Sequence, residues 1–386
     1  MEQRKAYSKQ FKNLSKIKLN KIVIAILFFI LGFCKENPAP EGGKSSTLSK
    51  PLSGVVVFSV GDVITNGKKA KQGDIVNAGE KVVTGKKSSC EIQIREHDAE
   101  VLIQLKQNSE FSLDLTTSTG EVKGNISIGS ALFKVGKPLK KGESVRVKSP
   151  TFVAGVRGTE FAIDVAKNGD SSLQVVSGKV ATHPRLSEID ELPAEVKDNS
   201  KFIQSTEAIL AKKETIVEPG NQIQVTKKQT NQILKDTGLG DAIQAGKKEI
   251  QNSSEKKVAS QAIDSLLIQE KADVVLAKLE SPQSTAMKPK EMESKLKEFE
   301  KLIAIEQSKL TTEEGTQKEL AKINVERKDA LIKKIEEITG KSSETLILTN
   351  GTRIKGVIFQ EGNSYIVLTP EGRKEFSESQ VEGTEF

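Results

Sequence analysis

Twelve consecutive uncharged residues, Ile22–Phe33, split this 386-residue chain into two parts with different fates. A membrane-spanning helix needs about 20 apolar residues, so this run is too short to hold the chain across a bilayer. Ahead of it stand Arg4, Lys5, Lys9, Lys12, Lys16, Lys18 and Lys21, opposed only by Glu2. A basic start with a short apolar run behind it is the pattern of a secretory leader, so residues 1–33 are read as a signal peptide. The mature chain must then fold outside the cytosol. The formal charge of +7 belongs to this leader, because 52 basic and 51 acidic residues remain beyond it. A nearly neutral mature chain gives no bulk electrostatic reason to expect a nucleic-acid partner.

Cys34 comes directly after the apolar run, behind Leu31, Gly32 and Phe33. Leu three residues before a Cys resembles the lipobox of bacterial lipoproteins. Phe33 departs from that pattern, which favours a small residue there, and the looser form is similar to that of Leptospira-type spirochaete envelope lipoproteins. The resemblance implies that Cys34 is acylated and becomes the mature N-terminus. The chain would then be held to a membrane by acyl chains, on an outer-membrane or periplasmic face of the cell envelope. Residues 34–53 are rich in Pro, Gly, Ser and Lys and read as a flexible tether. With Cys34 acylated, Cys90 is left as the remaining thiol of two cysteines, and no intramolecular disulfide can form. Cys90 stands in a strand-like run, SSCEIQI, and reads as a small core residue.

From residue 54 to 227, short β-branched and alternating runs are separated by Gly, Asn and Asp clusters. That spacing predicts a mainly β domain, leaving sandwich, barrel and β-solenoid open. Asn168-Gly169 predicts a hairpin turn and Pro219-Gly220 another. Residues 183–206 are polar, acidic and Pro-bearing, and read as an exposed excursion. From 228 to 340 apolar residues recur at helical spacing in three stripes: Ile263, Leu267, Glu270, Val274 and Ala277; Met292, Leu296, Phe299, Ile303 and Leu310; Leu320, Ile323, Leu331, Ile335 and Ile338. Pro282 and Pro289 break the run. Thr311 and Glu314 read as a capping box, and Gly340 as a helix C-cap. The prediction is a helical bundle or stalk, through which the chain could form homo-oligomers. Residues 341–386 carry β-branched runs between Asn350-Gly351, Glu361-Gly362 and Glu371-Gly372, and resemble a four-stranded SH3-like or Sm-like β unit. At that size it is near the limit of independent stability and is expected to dock on the helices.

The run Ser149–Phe161 (SPTFVAGVRGTEF) closely resembles the signature of FecR-type domains, and the later LQVVSGKV string fits the second half of that signature. Pro150, Gly155, Arg157, Gly158, Thr159, Phe161 and Gly178 carry the resemblance. It implies an extracytoplasmic, all-β module that binds, senses or supports structure. In the regulators that gave the family its name, the domain passes signals from an outer-membrane receptor to an anti-sigma factor. About 21 residues precede the apolar run here, which leaves no cytosolic sigma-binding domain. Read from the residues alone, the motif is a fold determinant, the alternative being that Arg157 contacts a partner. Its two glycines suit a bend or a close strand approach, Phe152 and Phe161 face a core, and Arg157 and Glu160 pair or meet neighbours.

Catalytic chemistry is not expected. His97 and His183 are the only histidines, no cysteine cluster could hold a metal, and neither a nucleophile elbow nor a phosphate loop occurs. His97 is placed in an exposed turn. Lys68, Lys69 and Lys71, and Lys137, Lys140 and Lys141, form basic patches without interleaved aromatics. The expected role is a non-enzymatic, cofactor-free envelope lipoprotein whose partner is an envelope protein or glycan. The alternative is a signal transducer retained by an uncleaved N-terminal segment.

Overall fold

Sharp glycine corners between short strands convert a meander into two facing β layers. The computed structural model describes residues 52–386, except 98, 117–119, 137–143, 157, 253–255 and 268. The expected leader, Cys34 and the expected tether as far as residue 51 lie outside the described residues, as do Arg157 and Lys137, Lys140 and Lys141.

The first layer runs, in spatial order, through Ile75–Val76, Ser53–Val60, Ser89–Arg95, Val101–Leu105, the second half of Glu121–Val135, Glu160–Val165, Ser171–Ser177, Asn221–Val225 and Ser284–Ala286, all antiparallel. The second runs through Lys68–Lys69, Val63–Thr65, Lys81–Thr84, Glu110–Thr116, the first half of Glu121–Val135, Ser144–Lys148, Phe152–Val156, Val180–Pro184 and Thr215–Val217. Within it, Glu121–Val135 and Ser144–Lys148 pair in parallel. The 15-residue strand Glu121–Val135 thus belongs to both layers. It bends at Gly129, where φ is +93° and a Cβ would collide with the Ser109 backbone. Of the three architectures left open by the sequence, the sandwich is the one observed.

Alternation supplies the core between the layers. Cys90, Ile92 and Ile94 point inward from one strand, Phe111 and Leu113 from another, and Phe152 and Phe161 from the motif region. Phe133 stacks on Phe161 with centroids 4.9 Å apart and planes at 12°, and Phe111 tilts against it at 6.0 Å. Each fully buried aliphatic or aromatic side chain of this set contributes about 1.5–3 kcal/mol.

The polar stretch after Val180–Pro184 is not a loop. It forms helices Ser187–Asp190, Ala194–Asn199 and Lys201–Lys212, and Leu186, Ile189, Leu192, Val196, Phe202 and Ile203 are buried in a second core. Those apolar residues are spaced for one face of short helices, and the acidic residues between them hide that face from composition. Ser200 caps the longest helix by accepting from Ile203 N. The same core takes helices Lys227–Thr237, Leu239–Asn252, Lys256–Leu266 and Gln269–Ala277. The predicted stripe through Val274 fails because the helix ends at Leu266 and a new one starts at Gln269. The face resets, so Val274 is 53% exposed and Leu276 is buried.

The remaining helical part lies against the first layer. Helix Pro289–Glu300 begins on its proline and ends before Ile303, so Ile303 and Leu310 belong to a largely extended strap and not to the predicted helical stripe. The third stripe is two helices, Glu313–Glu326 and Lys328–Thr339. The first is capped by Thr312, one residue later than predicted, through Gly315 N at 3.1 Å. Gly340 closes the second at φ +67°. Among the described residues, no helix is long and apolar enough to cross a membrane.

The C-terminal unit has five strands rather than four: Glu344–Leu348, Arg353–Glu361, Ser364–Thr369, Gly372–Ser377 and Val381–Glu385. Their spatial order is fourth, third, second, first, fifth, and all pairings are antiparallel. Val357, Ile366 and Leu368 share a core with Leu320, Leu331 and Ile335 of the helices and with Val55, Val57 and Phe58 of the first strand.

Candidate functional site

The two outer faces of the sandwich differ. On the first layer, Leu102, Leu132, Ala162 and Val176 point outward yet are buried, against Phe299 and Leu302. The outward polar side chains of Ser89–Arg95 are covered too, because they hold the strap. Glu91 accepts from Ile303 N at 3.0 Å, and Gln93 makes two amide bonds with Ile305, at 2.8 and 2.6 Å. Arg95 Nε donates to Leu310 O at 2.6 Å. The protein's own C-terminal half therefore occupies that face.

The second layer is open over its last four strands, from Ser144–Lys148 to the edge strand Thr215–Val217. Outward residues Arg146, Gly155, Ala181 and Ile216 line a shallow groove, Ile216 at 47% exposure. Gly155 and Ala181 form its floor. A Cβ on Gly155 would meet nothing nearer than Ala181 O at 3.8 Å, so neither crowding nor φ demands a glycine there. Its absent side chain leaves the strand backbone accessible. Lys179 and Glu218 pair at 2.7 Å on one rim.

Arg146 also lines a neighbouring cavity of about 360 Å³, with Lys123, Lys148, His183, Arg185, Asp190 and Glu207. Asp190 accepts from Lys148 at 3.3 Å and from Arg185. Burial alone would raise its pKa, but the charges of Arg185 and Lys148 outweigh that and hold it below the usual carboxylate range. Glu207 moves the other way: burial raises it, Lys197 opposes, and the nearby Asp190 charge adds to the rise. Glu121 lies within 3.0 Å of Lys123 and 3.3 Å of Arg146, yet its Oε1 is buried and aligned with no donor among the described residues. The arrangement is a charge-lined, apolar-floored groove with no nucleophile–base pair among the described residues. Nor is any group of three or more His, Cys, Asp or Glu among them placed to hold a metal.

The motif residues divide between corner and groove. Gly158 and Gly178 sit at adjacent corners with φ of +65° and +75°, and a Cβ on Gly178 would lie 2.5 Å from Gly158 O. Thr159 is buried, and its carbonyl accepts from Val135 N at 2.9 Å. Phe161 is in the core stack and Pro150 is in the turn before Phe152–Val156. Gly155 is the motif residue on the groove floor, and Gly178 reaches only its edge. Glu160 pairs with Lys134 at 3.5 Å. His97 is buried, not exposed: its ring nitrogens face Ala99 O at 2.9 Å and Gly120 O at 3.2 Å, so the turn folds inward around it. The buried row Glu91, Gln93 and Gln104 leaves no local signal in the sequence, because alternation reads the polar side of a strand as wet.

No curated protein sequence matches this chain. Two solved structures from Parabacteroides distasonis, each described as a proposed anti-sigma factor, are similar to it at 13% and 14% identity, with TM-scores of 0.27 and 0.26. The match covers 38% of this chain and 54% of those chains, so about half of their length is spanned. A likeness at that score carries no argument about fold or role. The family model described as FecR protein matches residues 80–181, which include every motif residue from Pro150 to Gly178 and the open face around Gly155.

Proposed function

We propose that the chain is an exported, non-catalytic envelope lipoprotein, anchored through Cys34, whose FecR-type sandwich binds or senses a partner through its open second layer. The observation that carries this reading is the asymmetry of the two faces. One is sealed by the chain's own strap and helices, while the other keeps a groove floored by a glycine that packing does not require. The partner class is an envelope protein or glycan reached from the tether. The looser lipobox supports the spirochaete-type resemblance, and the five-strand order of the C-terminal unit supports an SH3-like reading, which would make it a second contact surface.

Gly155→Gln tests the face. The side chain enters open space, so the fold should survive while the groove is filled. Cross-linking in intact cells should then lose the partner band that the wild type gives. An unchanged band would remove the groove from the proposal. Palmitate labelling of wild type against Cys34→Ala tests the anchor separately, and equal labelling would remove it.

A further inference from the structure

We infer that the interface between the first layer and two of the helices covering it holds a binding site for a neutral saccharide, independent of the groove on the other layer. A cavity of about 290 Å³ lies there, at the small end of ligand pockets and sized for one sugar ring. Gln104 and Lys106 form its floor, at the end of strand Val101–Leu105, and helices Pro289–Glu300 and Lys328–Thr339 wall it through Glu298, Lys334, Glu337 and Ile338. The lining is charged but balanced. Lys106 pairs with Glu298 at 2.7 Å, Lys301 with Glu337 at 2.6 Å, and Lys334 with Glu91. An anion or a cation could enter only by displacing a partner already in place, so an ionic ligand does not fit. The Lys301–Glu337 pair is half exposed and marks the mouth.

Gln104 gives a second, independent sign. It is 8% exposed, and its Nε2 donates to Glu91 at 2.9 Å. An ionised carboxylate only accepts, so that bond fixes which end of the amide is which. The other end, Oε1, has no donor among the described residues and is not sealed off as the Oε1 of Gln174 is, so it opens into the cavity that Gln104 lines. A ligand there must donate to that oxygen. The ammonium groups require the converse. Each carries three N–H donors; Lys106 and Lys301 each use one on a carboxylate, and Lys334 uses two, on Glu91 and Lys301 O. An acceptor beside spare donors is matched by hydroxyls, each of which donates and accepts. Adjacent hydroxyls on one ring meet both at once, and the ring carbons lie against Ile338 and the lysine stems. A free sugar and the terminal residue of a glycan present the same ring.

Saturation-transfer NMR titration of the full chain, under mildly acidic conditions that keep glucosamine cationic, decides this. The neutral probes are glucose, N-acetylglucosamine and diacetylchitobiose, and the charged ones are glucuronate and glucosamine. The expected result is saturable binding of a neutral probe, with both charged probes weaker. A tighter disaccharide identifies the end of a glycan, and a tighter single ring identifies a free sugar. Lys301→Ala with Glu337→Ala removes the half-exposed pair at the mouth, which contributes little to the fold, and should weaken binding by about tenfold or more. Gln104→Met, which keeps the bulk but loses the acceptor, should weaken it as well. Absence of saturation with all three neutral probes, a charged probe binding as tightly as the best neutral one, or affinity unchanged in either variant would overturn the inference.

Discussion

Lys334 and Glu91, 243 residues apart in the chain, form an ion pair whose side chains are 7% and 3% exposed. The ammonium also donates to Lys301 O at 2.7 Å and lies 4.8 Å from the centroid of the Phe58 ring. The carboxylate takes two further donors, Gln104 Nε2 at 2.9 Å and Ile303 N at 3.0 Å. One contact therefore ties together the first layer, the strap and helix Lys328–Thr339. Removing one partner strands a buried charge, so Lys334→Ala should cost about 3–5 kcal/mol, whereas Lys334→Met combined with Glu91→Gln should cost clearly less. Urea midpoints at unchanged slope measure both. A single variant as stable as the double would show that the pair is not what holds the strap.

The two kinds of motif glycine should separate under the same substitution. Gly178→Ala forces a Cβ onto a left-handed residue, which costs about 1–2 kcal/mol before its clash with Gly158 O is counted. Gly155→Ala enters open space in extended backbone and should leave the melting temperature nearly unchanged, or raise it slightly by restricting the unfolded chain. Equal losses at the two sites would mean that Gly155 is structural after all.

That contrast also marks how far the sequence can be read. The β character, the corner at Gly158 and the core positions of Cys90, Phe152 and Phe161 are local properties of alternation and turn chemistry, and they are legible; Gly178 entered only through the family resemblance. The covering of the first layer is not, because it depends on contacts across more than 200 residues: Glu91 and Gln93 look solvated until Ile303 and Ile305 are laid beside them. The helices at 187–212 escape for a related reason, since their apolar residues are buried by helices that come later in the chain. Gly155 reads as a bend residue because nothing local distinguishes a glycine that shapes backbone from one that leaves room.

Asp190 gives the cavity beside the groove a pH signature. Its carboxyl titrates below its ordinary range in the folded state, held there by Arg185 and Lys148 against the cost of burial. A depressed folded pKa contributes stability above the unfolded value and loses it as pH falls through the folded one. Melting temperature should thus fall on acidification from about pH 5 downward, and Asp190→Asn should flatten that slope while lowering stability near neutrality. Glu207 works in the opposite direction, its raised pKa favouring the protonated fold, so Glu207→Gln should steepen the acid loss. Parallel curves for wild type and Asp190→Asn would sink the assignment.

Cys90 offers a count that reads the core and the anchor together. Burial first, and the neighbouring Glu91 charge second, push its thiol far above the usual range, so almost no thiolate forms near neutral pH. Thiolate is the reactive species, and the side chain is closed off from solvent. An aromatic disulfide reagent at mildly alkaline pH should therefore leave Cys90 untouched in the native protein and titrate it once denaturant opens the sandwich. The chain has two cysteines. If Cys34 carries an acyl chain, protein isolated from membranes should give no reactive thiol when native and one when unfolded. If Cys34 is free on its tether, one thiol should react at once and a second only in denaturant. Rapid labelling of Cys90 itself, located by peptide mapping, would contradict the closed core.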